Sequence, residues 1–163
     1  MTLGNASAVA GERIRGSRAA HLATLLCVLA AAAAVTYLGY FLFGPTYNGC
    51  ELGPVSPTAA PGAPVCRTMG WLEMQFGRGY PGPIDLRPLA FLGAWTAAPF
   101  VALVGTKLRS RGVGTSLVAL ALLVDASSII SMGGGFVYAI LCGPLLLVAL
   151  LAMLVAFTQS RMG

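Results

Sequence analysis

Charged residues are scarce in this chain of 163 residues. Asp, Glu, Lys and Arg make up 9% of the sequence and hydrophobic residues make up 57%, whereas about a quarter of an average soluble domain is charged. So few charged groups cannot cover the surface of a soluble globule of 16.7 kDa. A mean hydropathy of +0.82 also excludes a disordered chain, because disorder requires low hydrophobicity. The composition therefore predicts a protein that resides in a lipid bilayer.

Sequence motifs of catalysis are also missing. The chain contains no C-x-x-C dithiol, no G-x-x-x-x-G-K-[ST] phosphate loop, no H-E-x-x-H zinc helix and no G-x-S-x-G nucleophile turn. Its one histidine, His21, lies near Arg18 at the start of an apolar run, where an interfacial position is favoured over a role as ligand or base. We therefore expect a protein that is not an enzyme, with no catalytic residue, no metal ligand and no cofactor.

Four uncharged runs are long enough to cross about 30 Å of hydrocarbon. They predict transmembrane helices at residues 20–43, 88–106, 113–132 and 136–157. The last two runs would form one helix of about 67 Å at 1.5 Å per residue, so the chain must fold back, and the glycines at 133–135 are the strongest break. The first run is too long for the core of a cleaved signal peptide and predicts a retained anchor. The expected fold class is an all-α membrane protein with four transmembrane helices in an up-down bundle.

The basic residues predict the orientation of this bundle, because they favour the cytoplasmic side in short loops. Seven of them lie on one side of the four helices: Arg13, Arg15, Arg18, Lys107, Arg109, Arg111 and Arg161. We therefore expect cytoplasmic segments at 1–19, 107–112 and 158–163, with both termini inside a plasma membrane. The net charge of +5 then reflects topology and attraction to anionic lipid, and no basic patch is left over for nucleic acid.

The predicted extracytoplasmic loop, residues 44–87, contains two of the four cysteines. In an oxidising compartment we expect Cys50 and Cys66 to form a disulfide, which would contribute about 3 kcal/mol in the chain-entropy model. After Cys66, the spacing of Met69, Leu72 and Phe76 places these side chains on one helical face, and a short element packed on the tops of the helices is favoured over a partner-binding surface. The neighbouring Trp71 suits the lipid headgroup layer.

Asp125 is the one acidic residue inside a predicted span. A charged Asp at the centre of a membrane helix costs about 2.5–3.5 kcal/mol, so such a residue faces inward, pairs or is protonated. It lies about 10 Å below the outer boundary at 1.5 Å per residue, at the depth of Trp95 and Cys142. The polar groups near this depth predict a candidate intramembrane polar site formed by Asp125, Ser128, Thr36, Tyr37 and Thr96.

Two interpretations of this site remain open from the sequence. In one, Asp125 binds a cation or carries a proton, with the hydroxyl groups as partners. In the other, Asp125 fixes helix packing through hydrogen bonds to those hydroxyls. A single carboxylate without a second charge in the membrane favours the packing interpretation.

The remaining cysteines and small residues predict packing. Cys27 and Cys142 are expected at opposite depths, so they should stay unpaired and behave as small apolar residues. The pairs Ala30/Ala34 and Gly93/Ala97 allow helices to approach closely, either in a compact bundle or in a contact between copies of the chain.

Three sequence segments carry a resemblance to a known group. They are Gly-Pro-Thr-Tyr-Asn-Gly-Cys at 44–50, the second cysteine at 66, and Ser-Met-Gly-Gly-Gly-Phe-Val-Tyr at 131–138 before a span that contains Pro144. They resemble small four-helix integral membrane proteins of high-GC actinobacteria, a group without an assigned activity. The resemblance covers the first to the fourth span and implies the topology and a bacterial plasma membrane. A claudin-like alternative fails, because the W-G-L-W-C-C pattern is absent and Trp71 follows the second cysteine.

The function expected from these observations is that of a non-enzymatic accessory or scaffold subunit for another envelope component. Its expected partners are the lipid bilayer and either a second membrane protein or further copies of the chain. The alternative is a small oligomeric channel, or a proton- or cation-coupled transporter that uses Asp125. A third possibility, a thiol-redox enzyme, would require Cys50 and Cys66 to cycle between oxidised and reduced states.

Overall fold

The computed structural model describes residues 3–51, 65–77, 83–131 and 134–162. The elements in chain order are α1 (Leu3–Phe43), β1 (Tyr47–Glu51), β2 (Val65–Met69), α2 (Trp71–Phe76), α3 (Arg87–Lys107), α4 (Arg111–Ser127), a 3-10 turn (Ser128–Ile130) and α5 (Gly134–Met162). They form two compact units. Met1–Val35 together with Leu89–Gly163 is called the helical unit below, and Thr36–Pro88 is called the hairpin unit.

Four helical segments are long and apolar enough to cross a membrane: Arg18–Phe43, Arg87–Lys107, Arg111–Ile130 and Gly134–Gln159. The four predicted spans are thereby confirmed as helices, and they fit a multi-pass membrane protein. One detail differs from the prediction. Gly134 and Gly135 form the first turn of α5 instead of a loop, where glycine is tolerated because the first N–H groups of a helix have no helical acceptor in any case. Residues 132 and 133 lie outside the described residues.

The basic segment before the first span is also helical, because α1 begins at Leu3. The connection between α3 and α4 is short, with Lys107 ending one helix and Arg111 beginning the next. The third span ends in the 3-10 turn, whose last cap, Ser131, has extended backbone.

Small side chains fill the core of the helical unit, while large apolar ones face outward. Leu25 and Leu151 are exposed, whereas Ala23 and Ala149 are fully buried. This distribution is the one expected in lipid, where no hydrophobic force drives helices together and close approach of the backbones supplies van der Waals contact instead. The core cluster draws on all four long helices: Ala23, Cys27, Ala30, Ala98, Ala102, Val118, Ala121, Leu146, Ala149, Ala152 and Met153.

Helices of this unit that follow each other in the sequence run antiparallel. The end of α3 meets the start of α4 at Gly105 and Gly114, and Gly114 also lies against Met153 near the end of α5. At the same end of the unit, the Thr24 hydroxyl of α1 donates to the Thr106 hydroxyl of α3 at 3.2 Å. The four helices of this unit therefore alternate in direction, as in an up-down bundle.

Gly105 and Gly114 bring α3 and α4 into close contact. A Cβ atom on Gly105 would lie 2.7 Å from the Gly114 carbonyl oxygen, so only glycine allows this crossing of α3 and α4. Ala30 and Ala34 are buried as expected, but Gly93 and Ala97 are exposed, and no atom lies within 4 Å of a Cβ built on Gly93. The Gly93/Ala97 pair therefore does not pack inside this chain, because that face of α3 points away from the other helices. A contact of this pair between copies of the chain stays a prediction.

The hairpin unit contains an antiparallel pair of strands. Tyr47 pairs with Met69, and the register continues to Glu51 and Val65 with Cys50 directly opposite Cys66. Close to the strands, the Arg67 guanidinium lies 3.2 Å from the Glu73 carboxylate of α2. The predicted loop is therefore structured where it is described, and residues 52–64 and 78–82 lie outside the described residues.

Helix α2 buries a different face from the predicted one. Trp71 is 1% exposed and Gln75 is also buried, whereas Phe76 is 65% exposed and Leu72 is half-buried. The Gln75 amide oxygen accepts a hydrogen bond from the Asp85 N–H at 3.1 Å. The predicted apolar face of Met69, Leu72 and Phe76 is therefore wrong, because α2 turns Trp71 and Gln75 to its buried side and leaves Phe76 exposed.

Candidate intramembrane polar site

Asp125 and Ser128 lie at the end of α4, one turn apart on the same face. Asp125 is 1% exposed and Ser128 is fully buried. The Ser128 N–H donates to the carbonyl oxygens of Asp125 and Ala126, which holds the two side chains on one continuous turn of backbone. The Asp125 Oδ1 and Ser128 Oγ atoms are both buried without a hydrogen-bond partner among the described residues. Buried polar atoms without a partner are rare in proteins and call for an explanation.

Helix α5 supplies the facing wall of the site. Tyr138 and Cys142, four residues apart and therefore on one face of α5, are fully buried and lie within electrostatic range of the Asp125 carboxyl. A Cβ atom on Gly143 would lie 3.1 Å from the Asp125 Oδ2 atom. Glycine at this position therefore leaves the space that the carboxyl group occupies.

Tyr138 supplies a hydrogen-bond donor that α3 lacks. A proline inside a helix has no N–H to donate to the carbonyl four residues earlier, so Pro99 leaves the Trp95 carbonyl without its helical donor. The Tyr138 hydroxyl donates to this Trp95 oxygen at 2.6 Å. The Tyr138 ring also stacks on the Trp95 indole with the ring centroids 6.2 Å apart. Tyr138 thereby replaces the bond that Pro99 removes and ties α5 to α3.

The other hydrogen-bond donors near the site are also engaged by backbone carbonyls. The Thr96 hydroxyl donates to the Leu92 oxygen at 2.7 Å within α3, and the Cys142 thiol donates to the Ala30 oxygen of α1 at 3.6 Å. A hydroxyl or thiol has only one hydrogen to donate. Tyr138, Thr96 and Cys142 therefore have no further hydrogen for the Asp125 carboxyl group.

The structure places the predicted site residues in two groups. Asp125, Ser128 and Thr96 are buried in the helical unit. Thr36 and Tyr37 belong to the hairpin unit, where Thr36 is exposed and Tyr37 is half-buried. The prediction that Cys27 and Cys142 stay unpaired is confirmed, since both are free and buried.

Sequence reasoning missed Tyr138 and Gly143 as parts of this site. The proline rule offered a signal for the first, because a tyrosine at the depth of a carbonyl freed by Pro99 is a natural donor. Gly143 carried no such signal, since its role depends on how α5 is rotated against α4.

Comparison with known proteins adds no relative, since no family model, no curated protein and no solved structure matches the chain. Its class follows from fold and site alone: four apolar helices that fit a multi-pass membrane protein, with a polar cluster buried among them.

Proposed function

We propose that this chain is a non-enzymatic integral protein of the plasma membrane that serves as an accessory or scaffold subunit for another membrane protein. In this proposal both termini lie in the cytoplasm, and the hairpin unit contributes the surface that contacts the partner. The asymmetric distribution of basic residues supports the orientation.

The observation that carries the proposal is a set of exposed apolar side chains in the hairpin unit. Phe76 at the end of α2, and Ile84 and Leu86 ahead of α3, are exposed, although all three lie outside the four candidate spans. The same unit buries Trp71 and Gln75. Exposed apolar side chains that form a contiguous patch mark contact surfaces for other proteins, and in this proposal Phe76, Ile84 and Leu86 form such a patch.

A disulfide between Cys50 and Cys66 is part of this proposal. The strand register sets the two residues directly opposite each other, and facing residues of an antiparallel pair have Cα atoms about 4.5–5.5 Å apart, within the range that a disulfide spans. The bridge would hold the hairpin in one shape for a partner. In gel electrophoresis, reduction should shift the mobility of the wild-type chain and leave that of Cys50→Ser unchanged. If Cys50 and Cys66 of the wild-type chain are both alkylated in the absence of reductant, there is no disulfide between them.

Photo-crosslinking from native membranes tests the partner surface. A photoreactive amino acid at Phe76 or Leu86 should give the same protein adduct, and one at the exposed polar Thr68 of β2 serves as the matched control. Substitution of Phe76 by Ser should abolish co-purification of that adduct partner. An adduct with a second copy of the chain would identify the partner as a homo-oligomer, while adducts with lipid alone would refute the proposed surface.

A second function, a small oligomeric channel or a proton- or cation-coupled transporter, is favoured by one observation. The packing interpretation requires hydroxyl donors for Asp125, yet Asp125 Oδ1 and Ser128 Oγ have no partner among the described residues. Proteoliposomes that contain the purified protein would test it. Ion or proton flux that is lost in Asp125→Asn supports transport, and vesicles that remain silent with the wild-type protein refute it.

A further inference from the structure

The buried carboxyl group of Asp125 has no cationic side chain within its own layer of the helical unit. The sequence contains no Lys, Arg or His in residues 22–50, 88–106 and 112–160, which include the four candidate spans except for their ends. The titratable groups that face Asp125 are Tyr138 and Cys142 of α5. The Thr96 hydroxyl of α3 and the Ala30 carbonyl of α1, which accepts from Cys142, carry no charge. The described parts of the four spans therefore offer Asp125 no cationic side chain away from their ends, and a bound cation can supply the missing charge.

The two unpartnered atoms define which cation fits. Asp125 Oδ1 and Ser128 Oγ are both oxygen ligands, and oxygen ligands suit protons and hard metal cations and disfavour zinc or copper. A single carboxylate balances a single positive charge, and a divalent cation would leave a net charge buried among apolar helices. The ligand class that matches this charge is a monovalent cation.

Close packing around the site limits the size of that cation. Gly143 brings the α5 backbone against the Asp125 carboxyl, and Gly135 brings it between Ser128 and the edge of the Trp95 ring, where a Cβ atom would lie 3.0 Å from the indole. The smallest monovalent cations, a proton and Na⁺, would displace this packing least.

We propose that Asp125 and Ser128 together form a binding site for one small monovalent cation, a proton or Na⁺, held between the Oδ1 and Oγ atoms. Binding at this site does not require flux through the protein, and it is compatible with either function proposed above. The proton and Na⁺ would compete, because both neutralise the same carboxylate.

The test uses dicyclohexylcarbodiimide, which modifies protonated carboxyl groups in apolar surroundings, on the purified full chain in detergent. Asp125 should be the modified residue by mass spectrometry, and the rate should fall as pH rises. If Na⁺ binds, NaCl at about ten times its dissociation constant should slow the modification about tenfold by mass action, with choline chloride as the salt control and KCl much less protective. Asp125→Asn should abolish the modification, and Asp85→Asn should leave it unchanged.

Ser128→Ala distinguishes a two-residue site from a lone carboxyl group. It should shift the pH midpoint of the modification and remove any protection by Na⁺, whereas Ser127→Ala should do neither, because Ser127 is exposed and its hydroxyl donates to the Val124 oxygen. Gly143→Ala, which presses a methyl group on Oδ2, should weaken protection in the same direction, so the inference does not depend on one variant folding well.

Each outcome decides the proposal. A pH-dependent rate that Ser128→Ala shifts, without protection by Na⁺, identifies the cation as a proton, and protection by Na⁺ that Ser128→Ala removes identifies it as Na⁺. Modification that depends on neither pH nor Na⁺, or that is the same in Ser128→Ala as in the wild type, overturns the site. Flux in proteoliposomes is measured separately, so a failure of the transport function and a failure of this site are distinguishable.

Discussion

Substitution of Tyr138 by Phe removes one hydroxyl group and keeps the ring. The aromatic stacking on Trp95, with centroids 6.2 Å apart, remains available to Phe, so the change isolates the hydrogen bond to the Trp95 carbonyl at 2.6 Å. Without it, this carbonyl has neither its helical donor nor a substitute. A buried carbonyl left unpaired costs about 1–3 kcal/mol in soluble proteins, and hydrogen bonds between membrane helices contribute about 0.6–1.7 kcal/mol. We therefore expect Tyr138→Phe to lower the free energy of unfolding by about 1–2 kcal/mol.

The Trp95 carbonyl depends on the Tyr138 hydroxyl because of Pro99, and a second variant tests this cause directly. Alanine at 99 restores the N–H that donates to the Trp95 oxygen within α3. In the Pro99→Ala background, Tyr138→Phe should therefore cost less than about 0.5 kcal/mol, which leaves a coupling energy of about 1 kcal/mol between the two positions. A cavity left by the proline ring is present in both Pro99→Ala proteins, with and without Tyr138→Phe. Its cost therefore cancels when the effect of Tyr138→Phe is compared between the two backgrounds.

The assay is equilibrium unfolding in mixed micelles at increasing mole fraction of dodecyl sulfate, followed by circular dichroism. The four proteins of the cycle are compared at the same total detergent concentration. Equal costs of Tyr138→Phe in the two backgrounds would refute the idea that Tyr138 substitutes for the donor missing at Pro99. No loss of stability in the wild-type background would refute the contribution of the hydrogen bond itself.

Three further predictions concern packing, orientation and the hairpin unit. Gly105→Ala should destabilise the protein by about 1–3 kcal/mol through overpacking, because its Cβ would lie 2.7 Å from the Gly114 oxygen. The control Gly93→Ala, with nothing within 4 Å, should be neutral or stabilising in the same unfolding assay. In intact cells an impermeant maleimide should label Thr68→Cys and not Ser110→Cys, and the reverse pattern would refute cytoplasmic termini. Burial, and then the Asp85 carboxylate, raise the pKa of the Tyr47 phenol. The hairpin unit should therefore lose stability as pH rises above about 10, where tyrosine in the unfolded chain ionises first, and Tyr47→Phe should reduce that loss in a thermal melt.

The four spans and the burial of Asp125 followed from the sequence for the same physical reason. The length of an uncharged run is counted directly along the chain, and a carboxyl group in lipid must face the interior wherever the helices pack. Neither the length of an uncharged run nor the cost of a carboxyl group in lipid depends on how the helices are rotated. Both predictions therefore depend only on quantities that a linear sequence contains.

The sequence did not indicate how each helix is rotated about its own axis. In α3 and α5 apolar residues surround the whole helix, so no polar face indicates which side packs against a neighbour. The spacing of small residues pointed to Gly93 and Ala97, and only the fold shows that Gly105 of the same helix meets Gly114. The face of α2 was wrong for a related reason, because Trp71 and Phe76 are both large and apolar and only one of them fits the interior.

The position of Asp125 along α4 indicates from which end of the helical unit a cation reaches it. Asp125 lies five residues before Ile130, the end of the 3-10 turn, and fourteen residues after Arg111, the start of α4. These separations correspond to about 8 Å and about 21 Å along the helix. The longer route passes the Gly105–Gly114 crossing and the buried alanines, where the helices pack too closely to admit a Cβ atom on Gly105. The shorter route ends at the connection between α4 and α5, where Ile130 is exposed. A cation bound between Asp125 and Ser128 should therefore exchange with the side of the membrane that this connection faces, which the proposed orientation makes the extracytoplasmic side.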